Sequence, residues 1–235
     1  MNPYEQLKKI IAESKSIVVF TGAGISVPSG IPDFRSARGI YSKEYGSYSP
    51  EEIISHHFFM QKPELFYEFY GEKMVYPEAK PNLAHLYFAQ LPNVSAVVTQ
   101  NIDGLHQDAG STKVYELHGS VLRNYCMKCH KFYGIQDINT KKPCYCTCGG
   151  RIKPDVVLYE EPLDSHVVSQ AIDAICKADT MIVVGTSLVV YPAASYLGYF
   201  RGKHLILINK SSTSYDSAAE LVFNEDIIEV IKKIK

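Results

Sequence analysis

Residues 16–36 read SIVVFTGAGISVPSGIPDFRS. Ser16–Phe20 is a short apolar, β-branched run, the pattern of a strand buried on both faces. It runs straight into Gly22-Ala23-Gly24. Glycines there let backbone approach a pyrophosphate, with the next helix pointing its N-terminus at it. A full G-x-G-x-x-G would need a glycine at 27, where the chain has Val27. On the glycines alone, a plain tight turn fits as well. The continuation to Arg35 adds a Pro-bounded loop, a ring at Phe34 that can cover a flat ligand, and a guanidinium that can pair bidentately with phosphate.

Working outward, Ser95–Thr99, Thr180–Val184 and His204–Ile208 are further apolar strands, and Leu221–Phe223 is a short fifth. The first three of these end in QNIDG, GTS and NKSS. Ligands of parallel α/β sheets bind at the carboxyl ends of strands, so these loops should converge. Helices are predicted over Pro3–Ser14, Pro81–Gln90, Ser165–Lys177, Pro192–Phe200 and Glu225–Lys233. The expected fold is α/β: a Rossmann-like parallel sheet with helices on both faces, plus a smaller zinc-ribbon/helical domain. Residues 1–35, 81–122 and 154–235 should form the larger, dinucleotide-binding domain. The helical insertion 36–80 and a zinc-binding module 123–153 should form the small one.

Five of the six cysteines fall between Cys126 and Cys148. Such clustering favours a metal over a disulfide framework. Cys126 and Cys129 have C-x-x-C spacing, half of a tetrahedral zinc site. Cys148, before Gly-Gly, is a third ligand. The fourth is Cys144 or Cys146; we favour Cys146, which can present its thiol on the same side of an extended knuckle as Cys148. Four thiolates leave no open position, so the Zn2+ would be structural. Cys176, in a helical pattern, is expected to be a buried small apolar residue.

The 235 residues are 46% hydrophobic and 21% charged, enough for a full core and unlike a disordered chain. A net charge of −1 gives no basic field for nucleic acid or an anionic membrane. No apolar run has transmembrane length. Met1–Ile11 reads as an amphipathic helix rather than a signal peptide, so the expected location is cytoplasmic.

The string TGAGISVPSGIPDFRS resembles the first signature of the sirtuin family, in a bacterial-like form. Thr99–His106 (TQNIDGLH), Glu116–Ser120 (ELHGS), Lys153–Val157 (KPDVV) and Gly185–Leu188 (GTSL) follow in the family's order. Several motifs in register from Ile17 to Asn209 make chance resemblance very improbable. The resemblance implies an NAD-dependent protein lysine deacylase that consumes NAD as a co-substrate. The acyl oxygen attacks C1′ of the nicotinamide ribose, nicotinamide leaves, and O-acyl-ADP-ribose and free lysine result.

By the same resemblance, His118 is the general base and Asn101 acts beside it at the nicotinamide ribose. Gly22, Ala23, Gly24, Phe34, Arg35, Gln100, Ile102, Asp103, Thr186, Ser187, Asn209 and Ile227 bind NAD. Val157 and Tyr159 flank the acyl-lysine of a protein substrate. The family commonly has Phe-Gly-Glu where this chain has Tyr159-Glu160-Glu161. Tyr41, Tyr45 and Tyr48 lack the following Arg associated with acidic acyl groups, so acetyl or another uncharged acyl group is expected. The alternatives are an NAD-dependent protein mono-ADP-ribosyltransferase, which shares the first bond cleavage, and a non-catalytic NAD or ADP-ribose sensor.

Overall fold

Asn2 opens the first helix of the computed structural model, which describes residues 2–34, 39–40, 45–190 and 192–235. Its side chain accepts the Tyr4 N–H and caps α1 (Pro3–Glu13), which buries Leu7, Ile10 and Ile11. β1 (Ile17–Thr21) then enters the centre of a six-stranded sheet. Its neighbours are β2 (Val94–Thr99) and β7 (Thr180–Val184), and β3 (Val114–Glu116), β8 (His204–Ile208) and β9 (Leu221–Phe223) extend it. The order is β3-β2-β1-β7-β8-β9 and every pairing is parallel. The chain therefore reverses its winding between β1 and β7, the crevice where dinucleotides bind in doubly wound folds.

Helices cover both faces, as expected. On one, α1 packs with α5 (Leu83–Gln90) and α8 (Ile227–Ile234) over Ile17, Val19, Ile182 and Ile206. On the other, α7 (Ser165–Lys177) covers Val18, Phe20, Met181 and Leu207. Among the described residues no helix is long and apolar enough to cross a membrane.

The predicted helix at Pro192–Phe200 is a 3-10 helix, Ala193–Tyr199. The Ser195 hydroxyl donates to the Pro192 carbonyl at 2.6 Å, as does the Ser195 N–H at 3.0 Å, which favours the tighter turn. Cys176 corrects a second expectation, for it is exposed. It lies one residue past buried Ile175 on α7, about 100° around the helix toward solvent.

A second sheet, β5-β4-β6, is antiparallel: β4 (Gly119–Cys126), β5 (Phe132–Gly134) and β6 (Ile152–Val156). The helices α2 (Pro50–Ile53), α3 (His56–Gln61) and α4 (Pro63–Lys73) share an aromatic core with its base. Phe59, Phe66, Tyr67 and Tyr70 pack there with Val121, Val156 and Leu158. Arg123 ties the two sheets, meeting Glu116 on β3 at 2.6 Å and Asp155 on β6 at 2.7 Å.

Candidate active site and thiol cluster

The strand ends converge through their backbones. Gly22 N donates to Val184 O, Gln100 N to Thr21 O, Gly185 N to Ile208 O and Asn209 N to Phe223 O. Gly24 meets the Gly185 turn so closely that a Cβ would lie 2.6 Å from Gly185 Cα. That contact requires glycine. A cavity of about 530 Å³ opens above these ends.

Gly22, Ala23, Gly24 and Phe34 line one side of the cavity, and Gln100, Asn101, Ile102 and His118 line its floor. Thr186, Ser187, Asn209 and Ile227 also line it, as do Val157 and Tyr159 just past the end of β6. Asp103 lies behind the lining, and Arg35 lies outside the described residues.

His118 follows β3, and the left-handed turn at Gly119 (φ 74°) sends the chain back into β4. His118 Nδ1 lies 2.8 Å from the Gln100 carbonyl. A carbonyl only accepts, so Nδ1 carries the proton and Nε2 holds a lone pair. Burial pushes this histidine's pKa below its ordinary value, and the bond to Gln100 partly restores it. The ring is thus a neutral base at physiological pH.

Asn101 is nearly buried, 8% exposed, and fixed from three directions. Its N–H donates to Thr99 Oγ1 (3.0 Å) and its Nδ2 to Gly22 O (3.2 Å) and Ser26 Oγ (3.0 Å). The side-chain oxygen has no hydrogen-bond partner among the described residues. Ser26 donates in turn to Asp103 Oδ2 at 2.7 Å, and Asp103 Oδ1 accepts the Leu105 N–H. Burial raises the Asp103 pKa, against these two bonds. Gln100 reaches Thr186 Oγ1 at 3.1 Å. Asn209 spends both ends of its amide on Thr186, accepting its N–H (2.8 Å) and donating to its carbonyl (2.7 Å).

Beneath lies a layer whose hydroxyl residues sequence reasoning overlooked. Thr21 donates to Thr99 Oγ1 (2.8 Å) and contacts His106 Nε2 (3.0 Å), so the support of Asn101 reaches a buried histidine. Two threonines ending adjacent strands, one of them just before TQNIDG's polar residues, were the available signal. Ser26, two residues after Gly24, was another.

In the small sheet, Cys126, Cys129, Cys146 and Cys148 bring their four Sγ atoms within 4.8 Å of one another. The Cys126–Cys148 and Cys129–Cys146 sulfurs are 3.5 and 3.6 Å apart. Tetrahedral ligands at the Zn–S bond length would stand about 3.8 Å apart, so the set fits an ion of that size. Cys144 packs beside the cluster but stays outside the four-sulfur set, its sulfur accepting the Asn139 N–H at 3.2 Å. The Cys148 N–H, then the Tyr133 side chain, favour the thiolate of Cys146 and lower its pKa to about 5. Such a preformed thiolate suits a metal ligand.

A family model described as the Sir2 family matches residues 22–192. An NAD-dependent protein deacetylase of Clostridium perfringens (strain 13 / Type A) is 57% identical over 236 residues, covering 97% of each chain. A solved Sir2 variant with deacetylated p53 peptide and 3′-O-acetyl ADP ribose superposes with TM-score 0.90 at 40% identity, covering 98% of this chain and 96% of that one. A Sir2–p53 peptide–NAD+ complex gives TM-score 0.87 at 40% identity, covering 100% and 97%.

Proposed function

This chain belongs to the Sir2 family, and from that premise we propose that it removes acetyl groups from protein lysine, consuming NAD. The observation that carries the reading is the pairing of His118 and Asn101 in one cavity. One offers an unprotonated Nε2 and the other an immobilised amide, both at the carboxyl ends of parallel strands.

Each residue has a task in this reading. His118 accepts the proton of a ribose hydroxyl that attacks the acyl carbon. Asn101, held by Gly22, Ser26 and Thr99, orients the nicotinamide ribose. Gly22–Gly24 and Thr186–Ser187 cradle the phosphates, with Arg35 as their cationic partner. Phe34 covers the reacting centre against water. Ile102 and Asp103 shape the nicotinamide pocket, Asn209 and Ile227 the adenosine side. Val157 and Tyr159 border the acyl-lysine. Most of the rate advantage is positioning and charge stabilisation in a recessed site.

Cys126, Cys129, Cys146 and Cys148 would hold Zn2+, which supplies folding energy to the small domain and no chemistry. That domain comprises the helical segment 36–80 and the cysteine module 123–153. Reduced thiols and available NAD both suit a cytoplasmic enzyme.

Mass spectrometry of an acetyl-lysine peptide, incubated with and without NAD, tests the reading. NAD-dependent loss of acetyl, with nicotinamide and O-acetyl-ADP-ribose formed, is expected. Intact acetyl-peptide with ADP-ribose appearing on protein would replace it with the transferase. Survival of both peptide and NAD would favour the sensor.

A further inference from the structure

The cavity rim carries several carboxylates, and three of them are matched by cations. Glu161 meets Lys153 Nζ at 2.9 Å and His56 Nδ1 at 2.8 Å. Asp226 meets Lys210 Nζ at 2.8 Å, and Glu225 meets Lys233 Nζ at 2.6 Å. Glu160 differs. It lines the same cavity, is exposed, and has no ion-pair partner among the described residues. Its one hydrogen bond is from the His57 N–H to Oε2, at 2.9 Å.

The backbone at Glu160 is left-handed, with φ 75°. Glycine adopts that conformation freely, whereas a residue with a Cβ is strained in it. This chain therefore keeps a charged side chain at a position whose backbone favours none. The Glu160 segment is also firmly placed. Val157 N donates to His118 O, Tyr159 N donates to Ile54 O, and His56 N donates to Tyr159 O. Glu160 thus stands at the end of the wall that holds Val157 and Tyr159, in a turn closed by the Glu161 N–H donating to the Leu158 carbonyl at 3.0 Å. A peptide lying extended along that wall would carry the neighbours of its acyl-lysine past an uncompensated negative charge.

We propose that Glu160 is a specificity-determining residue that selects acyl-lysine substrates bearing Lys or Arg within three residues of the modified lysine. The proposal rests on the deacylase reading above. Glu160 acts through charge at the rim, so it changes which peptide is preferred and takes no part in bond cleavage. A single exposed charge pair of this kind is worth up to roughly a fivefold preference at low salt, and less as salt screens it.

The test is kcat/KM for acetyl-lysine peptides differing only in flanking residues: Lys or Arg, Ala, or Glu, placed in turn at each of the three positions on either side. Wild-type protein should prefer a basic over an acidic flank at one position or more, and added salt should shrink the ratio. Glu160→Gln keeps an oxygen for the His57 N–H and loses only the charge, so its ratio should fall to near one. Glu160→Lys should invert it. A wild-type ratio of one at every position, or a preference that Glu160→Gln retains, overturns the proposal. The Ala-flanked peptide separates the two levels. If it is deacetylated while charge has no effect, the deacylase reading stands and this inference falls. If no peptide reacts, both fall.

Discussion

The six-stranded and three-stranded sheets solve the problem of a core in opposite ways. In the large sheet, Ile17, Val18, Val19 and Phe20 are wholly buried, as are Met181, Ile182, Val183 and Val184 on the adjacent strand. Helices cover both faces, and burial of that extent is the dominant stabilising force. In the small sheet, Tyr125 and Phe132 meet edge to face in solvent, and the interior beyond the helical insert is little more than Cys126, Cys146 and Ile152. A module of this size lacks apolar area to stand alone, so its stability should depend on a metal cross-link. The cavity lies between the two regimes. Its floor rests on the large sheet, and the wall that holds Val157 and Tyr159 leads on from the small one.

The sharpest way to separate the two is His118→Ala. The half-buried ring stands at the cavity wall and supports no core cluster. Deacetylation should fall by about 10²- to 10⁴-fold, the range for loss of a general base. The melting temperature and metal content should remain those of wild type. Turnover near the wild-type rate would remove His118 from the reaction, and a collapse in melting temperature would place it in the scaffold.

Cys129→Ser attacks the other regime. Cys129 is exposed, so the change disturbs little packing of its own. Bound zinc per chain should fall well below one, and the melting temperature should drop by several degrees. Hydrogen exchange should accelerate through residues 126–152 while residues 17–21 and 180–184 keep their protection. Equal loosening of both sheets would erase the proposed division. Unchanged metal content would remove the zinc site.

What the sequence disclosed follows the same division. Long-run patterns expose the large sheet: four apolar strands, each followed by small or polar residues, predict both the parallel fold and the convergence of the loops. The three-residue β3 escapes because Val114, Tyr115 and Glu116 are each only partly buried and form no apolar run. Cysteine spacing left Cys144 and Cys146 open, and only the fold shows Cys144 turned toward Asn139. Motifs name the residues facing the cavity but not what holds them. The Thr21–Thr99–His106 chain behind Asn101 joins residues 78 and 85 apart in sequence, and spacing carries no trace of such contacts. Glu160 shows the reverse case: a break in the family pattern was legible, but its left-handed backbone and lone charge were not.

The last expected effect belongs to the large sheet and is a dependence on acid. His85 on α5 and His106 on α6 (Leu105–Asp108) lie edge to face, with ring centroids 4.8 Å apart. His85 Nε2 and His106 Nδ1 are buried and have no hydrogen-bond partner among the described residues. Burial lowers the His85 pKa to about 4; burial, then the neighbouring His85, lowers that of His106 to about 3. The sign follows from proton uptake. Below about pH 6.5 an unfolded histidine binds a proton that these buried rings refuse, so acid favours the unfolded chain. Stability should therefore be indifferent to this pair above pH 7. From about pH 6.5 toward pH 4 it should decline by up to roughly 1.4 kcal/mol per pH unit for each ring. Denaturant unfolding between pH 7 and 5 reads the slope. His85→Phe keeps a flat ring in the core and removes one titrating group, so the slope should drop by about half. Protection at residues 17–21 should follow the same curve, because His106 bonds Thr21 at the end of β1. A wild-type slope that His85→Phe leaves unchanged would move the acid sensitivity away from this pair and toward His118, whose pKa burial also lowers.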